Sequence, residues 1–384
     1  MEKYLNRAAE VLDVNSEELT HFNFTDSFNS ENQINCFLCK RSDHRYGALF
    51  IYKINEEETE QIVYGTPKIN YPFDKTNKFH WPNDINDLEA YEKVDGTNIL
   101  AYNYTYKNEK FFSFKTRLTP VISDSKFGPF LGLWKELLEN NCWIKELTEK
   151  NSDFNFSFEM FGYRNIHLID YDFPLKTLLL FAIKNKNHKI YPPSNFSVEV
   201  SNFPKRFYFS STDLKNKELT EFYNSMRDVA TTINSEELKI EGYVFYSRNN
   251  DNLYKMYKCK AKQVELEHWK SEYIDENSIW TTCINAHESE EDPSLEYIIE
   301  LLKEEFSETK INKSYNRIEK NLQTAKEHVK IICKINEVYY KAKEKGFDVK
   351  QNKNETFRFM SQFFNKKEMR FVGAIILKEF EGEN

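Results

Sequence analysis

A short stretch around residue 93 holds residue types that could form a covalent intermediate. It reads Tyr91-Glu92-Lys93-Val94-Asp95-Gly96-Thr97-Asn98, and apolar and aromatic residues follow it. The pattern predicts two short strands joined by a tight turn, in which Gly96 supplies unusual backbone angles. Strand alternation then places Lys93 and Asp95 on the same face. A lysine beside a carboxylate at a strand end is a candidate nucleophile, although this pattern alone is more typical of a solvated hairpin.

Two further carboxylates stand beside glycines. Glu159 lies in Phe154–Gly162, where phenylalanines occupy alternate positions and predict a strand. Because an unpaired buried charge is costly, Glu159 needs a salt bridge, a ribose hydroxyl or a metal-bound water as its partner. Glu241 precedes Gly242 and a run of alternating aromatic residues, which predicts a carboxylate at the start of another strand.

A pair of lysines follows Glu241. Lys258 is 17 residues after Glu241, and Lys260 comes two residues later, so both lysines share one face of a predicted strand. Two neighbouring ammonium groups repel each other. An exposed edge strand would tolerate this repulsion, whereas a polyphosphate bound between the lysines would turn it into attraction.

Two other side chains are open to a structural or a functional interpretation. Arg117 closes the alternating stretch Lys110–Arg117 and is either a surface cation or a ligand for a phosphate or ribose. Phe181 belongs to the apolar run Thr177–Ile183, which predicts a buried strand. It is either a core residue or a platform on which a planar base stacks.

The composition indicates a globular protein. Of 384 residues, 40% are hydrophobic and 30% charged, and the net charge is −8, which argues against a uniformly basic nucleic-acid coat. No apolar run approaches the roughly 18 residues of a membrane span. The first residues lack the apolar core of a signal peptide, so we expect no membrane partner and a cytoplasmic location.

The six cysteines are scattered, as is typical of a reducing compartment. Cys36 and Cys39, with His44 nearby, resemble half of a zinc site. No second Cys/His pair follows at a suitable spacing, so two buried strand cysteines are the favoured interpretation.

The chain also suggests its elements and domains. Helices are predicted for residues 1–13 and Phe130–Lys150, and a strand for Gly47–Ile54. From Lys262 onward the hydrophobic period becomes helical. We therefore predict one domain over residues 1–275, including an N-terminal extension to about residue 64, and a helical C-terminal domain over 286–384, with the boundary near 265–285.

The predicted C-terminal helices include one with heptad spacing. Its apolar positions are Ile311, Tyr315, Ile318, Leu322, Ala325, Val329 and Ile332. Ala286–Thr309 has nine acidic residues and one lysine, a net charge of −8. Lys310–Asn384 has 17 basic and 10 acidic residues, a net charge of +7. The basic segment either contacts RNA or is a solvated helical surface, and the heptads allow a homodimer.

Taken together, these motifs resemble those of a known superfamily. Lys93-x-Asp95-Gly96, Glu159, Phe181, Glu241-Gly242 and Lys258-x-Lys260 occur in the order found in covalent nucleotidyltransferases, which comprise ATP-dependent RNA and DNA ligases and messenger-RNA capping enzymes. The resemblance covers roughly residues 65–265. Glu92 and Asn98 make it most similar to ATP-dependent RNA ligases of phage or archaeal type. The stretch Lys115–Thr119 matches the family's next motif only loosely.

The resemblance implies an α+β fold. Its parts are a nucleotidyltransferase domain (the ATP-grasp-like ligase adenylation domain) of antiparallel sheets with flanking helices, and an all-α C-terminal domain. It also implies an RNA-repair enzyme that uses ATP and Mg²⁺ or Mn²⁺ to join a 5′-phosphate and a 3′-hydroxyl RNA end through lysyl-AMP and RNA-adenylate intermediates.

The implied roles fall on named residues. Catalysis is assigned to Lys93, Asp95, Lys258 and Lys260. Nucleotide binding is assigned to Glu92, Lys93, Asn98, Arg117, Glu159, Phe181, Glu241, Lys258 and Lys260. Metal binding is assigned to the three carboxylates Asp95, Glu159 and Glu241, whose hard oxygens suit magnesium.

Two alternatives remain open at this point. A DNA ligase or capping-type transferase would carry an oligonucleotide-binding barrel directly after the lysine pair, where helices are predicted instead. A non-catalytic nucleic-acid-binding protein of the same fold would not need the lysine and all three carboxylates.

Overall fold

In the computed structural model, the described residues are 1–74, 78–82, 84–123, 130–165, 169, 171–210, 219–234, 239–261, 273–274, 276–290, 292–303, 306–347, 349–366, 368–369 and 372–373. The chain divides into two compact units. The first comprises Met1–Ile122 and Leu133–Trp269, and the second Ser123–Gly132 and Lys270–Asn384. None of the described helices has the length and apolar character needed to span a membrane.

The first unit begins with helix α1 (Glu2–Leu12) and a four-stranded antiparallel sheet, which we call the N-terminal sheet. Its strands, in spatial order, are β1 (Leu19–Thr25), β2 (Gln33–Cys39), β3 (Leu49–Ile54) and β4 (Glu57–Val63). The predicted helix and the predicted β3 strand are confirmed. Cys36 and Cys39 are buried in β2, as expected for core cysteines.

A second, five-stranded sheet carries one of the predicted carboxylates. Its order is β10-β9-β8-β6-β7. The strands are β6 (Thr97–Tyr106), β7 (Glu109–Lys115), β8 (Phe154–Phe161), β9 (Lys176–Lys184) and β10 (Ile190–Tyr191). All of its pairings are antiparallel.

A third sheet carries the candidate lysines. Its order is β11-β5-β12-β13, again antiparallel, with β5 (Ile85–Lys93), β11 (Arg206–Phe209), β12 (Gly242–Asn249) and β13 (Tyr254–Lys260). One core cluster joins the three sheets and includes Cys36, Tyr91, Leu100 and Tyr246. The predicted mixture of antiparallel sheets and helices is therefore confirmed.

The predicted hairpin around Gly96 is wrong. β5 and β6 belong to different sheets, so the turn between them leads the chain from one sheet to the other. Gly96 is also not among the glycines with a positive φ. Glycine is needed there for space, because a Cβ atom at Gly96 would lie 2.3 Å from the carbonyl oxygen of Met160.

The single helix predicted for Phe130–Lys150 is two helices, α2 (Phe130–Asn140) and α3 (Cys142–Lys150). Asn141 separates them. Its side chain donates to the carbonyl of Leu137 at 2.8 Å and accepts from Trp143 Nε1 at 3.1 Å. Asparagine competes in this way with the helical hydrogen bonds, which explains the break.

Helix α4 (Leu219–Ile233) covers one face of the third sheet. Its Tyr223 and Met226 belong to a core cluster with Tyr243 and Phe245 of β12. The opposite face of the same sheet contributes Tyr91 and Tyr246 to the first core cluster. The third sheet is thus buried on both faces in its middle, and its functional side chains lie at the strand ends.

In the second unit, the regular elements within the described ranges after Lys270 are helices. They are α5 (Glu276–Ser289), α6 (Leu295–Lys303), α7 (Glu308–Glu344) and α8 (Val349–Met360). Most of the predicted heptad positions in α7 are buried: Ile311, Ile318, Leu322, Ala325 and Val329. Ile332 is half-buried, and Tyr315 is 42% exposed, so the prediction of a buried residue is wrong at Tyr315.

Two predicted ends of helices can be compared with this unit. Gly346 follows α7 with φ +81° and is the predicted stop signal. The helix predicted for Glu355–Phe364 is observed as α8 and ends earlier, at Met360. The helix predicted for Lys366–Phe380, and the change of period at Lys262, fall largely outside the described residues.

Candidate active site

The site is built around one carboxylate and two lysines at the ends of three adjacent strands. In register, Lys93 of β5 and Lys260 of β13 both pair with Gly242 of β12. The carboxylate of Glu241, one residue before β12, accepts a hydrogen bond from Lys93 Nζ on one oxygen. Its other oxygen lies 3.0 Å from Lys260 Nζ. The structure therefore brings together a predicted nucleophile, a predicted carboxylate and one of the two predicted phosphate-binding lysines.

Electrostatics keep the Glu241 carboxylate ionised. Burial by itself raises the pKa of Glu241, but the ammonium groups of Lys93 and Lys260 outweigh it and hold that pKa well below its usual range. The side chain of Lys93 is 25% exposed, whereas those of Glu241 and Lys260 are each 9% exposed. Lys93, the predicted nucleophile, is thus the most accessible of the three side chains.

Gly242 leaves the space between the two lysines without a side chain. Its φ is +147°, and a Cβ atom there would lie 2.0 Å from the carbonyl oxygen of Cys259. Both the backbone conformation and the close approach require glycine. The Glu241-Gly242 motif therefore places a charged side chain next to a position that has no side chain.

Glu159 lies on β8, opposite Asn98 of β6. Asn98 Nδ2 donates to Ser157 Oγ at 2.8 Å and approaches Glu159 Oε2 at 3.4 Å, while Thr66 Oγ1 donates to Asn98 Oδ1 at 2.7 Å. Asn98 is therefore held on both sides and orients Glu159.

Glu159 needs a partner that the protein supplies only weakly. Burial raises the pKa of Glu159 to about 7, against the lowering influence of Lys93 and Arg117. Among the described residues, its closest hydrogen-bond donor is the neutral amide of Asn98, at 3.4 Å. A carboxyl group in this environment suits a ribose hydroxyl or the water of a hydrated cation, as the sequence predicts.

Asp95 is tied to a segment that sequence reasoning missed. Its Oδ2 accepts from the backbone N–H of Ile169 at 2.9 Å, and its own N–H donates to Tyr171 Oη at 2.9 Å. Tyr171 is near Glu159 and Glu241, and burial raises its pKa. Because Tyr171 lies in an irregular segment between β8 and β9, no periodic signal could have identified it.

Lys258 shares the predicted strand face with Lys260. β13 is the last strand of its sheet, but Lys258 N–H donates to the carbonyl of Asn70 at 3.0 Å and the Lys260 side chain is 9% exposed, so the interpretation as an exposed edge strand is wrong. The ammonium group of Lys258 lies 4.6 Å from the centroid of the Tyr71 ring. In the strand register, Lys258 pairs with Val244, which is two residues further along β12 than Gly242. It is therefore placed next to the Lys93–Glu241–Lys260 group.

Three other predicted residues lie on or directly after strands of the same unit. Arg117 follows β7, its guanidinium lies 5.7 Å from the Tyr46 ring centroid, and its buried Nε has no hydrogen-bond partner within the described part of the chain. Phe181 is 1% exposed, in the core cluster that joins the sheets, and pairs with Ser157. Glu92 alternates with Lys93 on β5 and lies 4.0 Å from Lys205. Strand alternation therefore turns Glu92 away from Lys93.

The carboxylates do not form a protein cage for a metal. Among the described residues, no group of three or more His, Cys, Asp or Glu side chains could hold an ion. Both Glu241 oxygens face lysines, and Asp95 accepts a backbone N–H. Glu159 fits an ion of the magnesium type, which keeps several waters and is held mainly by substrate phosphates.

Comparison with known proteins gives distant similarities only. No family model and no curated protein matches the chain. An archaeal ATP-dependent RNA ligase structure is 12% identical, with 88% of this chain and 82% of that chain covered and a TM-score of 0.45. A putative ATP-dependent DNA ligase from Aquifex aeolicus is 13% identical, with 94% and 88% covered and a TM-score of 0.40.

A Naegleria gruberi RNA ligase mutant with ATP and Mn is 13% identical, with 55% of this chain and 65% of that chain covered and a TM-score of 0.33. Each of the three proteins is named as a ligase, the class of enzyme that the sequence motifs resemble. At such TM-scores the residues of the site, rather than these similarities, are the basis for a function.

Proposed function

We propose that this chain is an ATP-dependent RNA ligase of the nucleotidyltransferase type. It joins a 5′-phosphate RNA end to a 3′-hydroxyl end, in RNA repair. The observation that carries the proposal is the position of Lys93: a partly exposed lysine at a strand end, hydrogen-bonded to the buried Glu241, with Lys260 on the other oxygen of the same carboxylate. The ordered motifs that surround this group support the same function.

In the first step, the Lys93 amine attacks the α-phosphorus of ATP. A phosphorus–nitrogen bond forms, the bond to the β-phosphate oxygen breaks, and pyrophosphate leaves. The attacking amine must be unprotonated, so the ammonium proton of Lys93 passes to solvent before the bond to phosphorus forms. The ammonium groups of Lys258 and Lys260 stabilise the charge that develops on the phosphates.

The next two steps transfer the AMP and seal the RNA. The 5′-phosphate of an RNA end displaces Lys93 from the AMP phosphorus, which gives an RNA-adenylate and restores the lysine. A 3′-hydroxyl then attacks the RNA phosphate, and AMP leaves. Lys93 returns after each cycle to Glu241, which keeps it at the strand end.

The remaining residues bind and orient the nucleotide. Glu159 accepts a hydrogen bond from the ribose or from metal-bound water, with Asn98 fixing its orientation. Arg117 offers its unpartnered Nε to a phosphate or the ribose. Phe181 is assigned to adenine stacking, which requires its ring, 1% exposed in the core, to become accessible to the base. Asp95 is held by the backbone of Ile169, and Glu92, which faces away from Lys93, would contact the nucleotide from another side. Mg²⁺ or Mn²⁺, when bound, would neutralise phosphate charge.

The proposal extends to the domains. An adenylation domain over residues 1–275, with an N-terminal extension to about 64, performs the chemistry, and the helical region 286–384 selects the RNA. The net charge of +7 on Lys310–Asn384 supports a contact with phosphates. A brace or a homodimer through these helices is the competing interpretation.

The test is incubation of the protein with radiolabelled ATP or GTP and Mg²⁺, followed by denaturing electrophoresis. A label from ATP that stays on the protein supports a ligase, and a label from GTP indicates a capping-type transferase. Joining of single-stranded, nicked and broken-hairpin RNAs, with matched DNAs, then separates RNA from DNA ligase. Absence of any covalent label would overturn the proposal in favour of a non-catalytic binding protein.

A further inference from the structure

The Tyr46–Gly47 turn of the N-terminal sheet packs closely against the backbone at Arg117 and at Gly65. Gly47 has φ +73°, and a Cβ atom there would lie 2.2 Å from the carbonyl oxygen of Arg117. On the other side, a Cβ atom at Gly65 would lie 2.4 Å from the carbonyl carbon of Gly47. The Tyr46–Gly47 turn therefore sits in direct contact with the backbone of Arg117, and neither glycine leaves room for a side chain.

The turn itself is rigidly attached to the N-terminal sheet. Gly47 N–H donates to the carbonyl of Cys39 at 2.8 Å, and Ala48 N–H donates to that of Arg45 at 2.8 Å. Arg45 is buried and its guanidinium donates to the carbonyl of Leu12 at 2.9 Å. A displacement of the turn would therefore disturb α1 and β2 as well.

Lys115 contacts the same backbone, and its Nζ would lie 3.4 Å from a Cβ atom at Gly47. It is the last residue of β7 and is fully buried. Its Nζ donates to the carbonyl of Thr116 at 2.7 Å and to that of Arg117 at 3.2 Å. Neither acceptor is a carboxylate, and burial lowers the pKa of Lys115 to about 7. Burying an amine that has no carboxylate partner lowers the free energy of unfolding, because the charged form is poorly solvated there. Packing alone therefore does not explain why a lysine occupies this position.

The side chain of Arg117 is held as well as its backbone. Its guanidinium lies 5.7 Å from the Tyr46 ring centroid, and Tyr46 is 3% exposed. Among the described residues, the buried Nε has no hydrogen-bond partner. Arg117 lies two residues beyond Lys115, which pairs with Leu100 of β6, and Asn98, two residues before Leu100, pairs with Glu159. This register places Arg117 at the end of the sheet that carries Glu159. An arginine that recognises a phosphate or ribose through its planar fork must be oriented in this way.

We infer that Lys115 and the Tyr46–Gly47 turn are positioning residues for Arg117, and that the N-terminal sheet is therefore a working part of the nucleotide site. The inference rests on the proposed function, because that is where Arg117 receives its ligand. The inference goes further than the proposed function, because it gives the N-terminal extension a role in orienting a nucleotide-binding side chain.

The first test compares Lys115→Met with Arg117→Ala in the full-length chain. We expect Lys115→Met to raise the KM for ATP in adduct formation by about tenfold, because Arg117 is misplaced rather than lost. In the Arg117→Ala background the same change should have less than about a twofold effect, since two residues that act through one another are not additive. Full additivity in this double-mutant cycle would overturn the inference.

Lys110→Met is the matched control. Lys110 is an exposed lysine on the same strand, and it donates to Ser152 Oγ. We expect adduct formation to be unchanged in this variant. An effect of Lys110→Met equal to that of Lys115→Met would show that any lysine on β7 matters equally, and the inference would fail.

A second variant and an activity-independent readout cover the case in which Lys115→Met does not fold. In Tyr46→Leu, the ring that covers Arg117 is removed while the turn remains. Without nucleotide, phenylglyoxal should modify Arg117 faster in Tyr46→Leu than in the wild type, as measured by mass spectrometry. Unchanged modification overturns the inference. Absence of any ATP label in the wild type would instead overturn the proposed function and leave the phenylglyoxal result standing.

Discussion

Lys93 and Lys260 share one carboxylate: each ammonium group contacts a different oxygen of Glu241. The two lysines come from strands that are not neighbours, and Gly242 lies between them in the sheet. Glu241 offsets the repulsion between them. Under the proposed function, a bound triphosphate would take over that role and weaken the contact between Glu241 and Lys93.

We expect Lys93→Ala to abolish the covalent label from ATP and to leave the fold intact. Lys93 is partly exposed at the end of β5, so its truncation opens no cavity. Denaturing electrophoresis after incubation with radiolabelled ATP measures the label. Lys205→Ala, which changes an exposed lysine near Glu92, is the control and should label normally. A labelled Lys93→Ala protein would show that another residue carries the nucleotide.

Lys260→Ala and Lys258→Ala should each reduce adduct formation by roughly 10²-fold, as expected for the loss of one preorganised electrostatic contact. Lys260 is 9% exposed and forms an ion pair with the equally buried Glu241, so Lys260→Ala should also lower the free energy of unfolding. Single-turnover labelling and urea unfolding measure the two effects. Near-normal labelling in both variants would contradict the assigned roles.

Lys115 should make stability depend on pH. Its pKa in the folded protein, about 7, is below the ordinary value of about 10.4. Between these values the unfolded chain binds the extra proton, so stability rises as the pH increases, by up to about 1.4 kcal/mol per pH unit. Below pH 7 the folded protein must retain a buried ammonium group, and the penalty is complete.

Urea unfolding of the wild type and of Lys115→Met, from pH 6 to pH 10, measures this effect. The wild type should gain stability relative to the variant as the pH rises. Parallel curves for the two proteins would show that the Lys115 amine keeps an ordinary pKa.

Gly96→Ala should impair both the fold and the chemistry. The added methyl group would meet the Met160 carbonyl, so the turn or β8 must shift, at a cost of about 1–3 kcal/mol. Because Lys93 is three residues away, adduct formation should fall more than the population of folded protein does. Gly373→Ala is the control, since no atom of the described residues lies within 4 Å of a Cβ atom there. Wild-type labelling by Gly96→Ala would contradict the tight contact.

The exposed residues Lys313, Arg317 and Lys320 follow one another along a face of α7, and Arg317 lies 4.5 Å from the Tyr273 ring centroid. Replacing all three by glutamine should leave the lysyl-AMP adduct unchanged. RNA joining should weaken, and its dependence on salt should become less steep, because phosphate contacts are lost. Labelling and ligation assays at several salt concentrations measure both.

The matched control replaces Asn312, Asn316 and Gln323 by glutamate, which changes the net charge by the same amount on a different face of α7. If both triple variants join RNA equally well, the basic face does not select the substrate. If the glutamine variant changes the oligomeric state instead, the helix is a brace or an interface.

Patterns within single strands were well predicted from the sequence. Glu159 on β8, Glu241 before β12, and Lys258 and Lys260 on one face of β13 follow from local alternation, which has a period of two residues wherever a strand forms. The C-terminal end of α7 was predicted in the same local way, since Gly346 adopts a positive φ that few other residues tolerate.

What the sequence could not reveal depends on partners far along the chain. The Asp95-Gly96 sequence is typical of a hairpin turn, but β5 pairs with β11 and β12 instead of with β6. These long-range pairings are more stable than the local hairpin. The break at Asn141 is decided by one side chain that competes with the helix. Tyr171 and Lys115 take their importance from the backbone groups they contact, and nothing in their neighbouring residues indicates those contacts.

The contact between Lys93 and Glu241 spans 148 positions of the chain. Closing so long a loop is entropically unfavourable until other interactions have brought β5 and β12 together, so the contact should form late during folding. Helices and local hairpins recovered early in refolding would then be inert towards ATP. The fraction of chains that accept a covalent label would thus equal the fraction of native molecules. The rate at which this fraction rises during refolding would be the rate at which β5 and β12 pair.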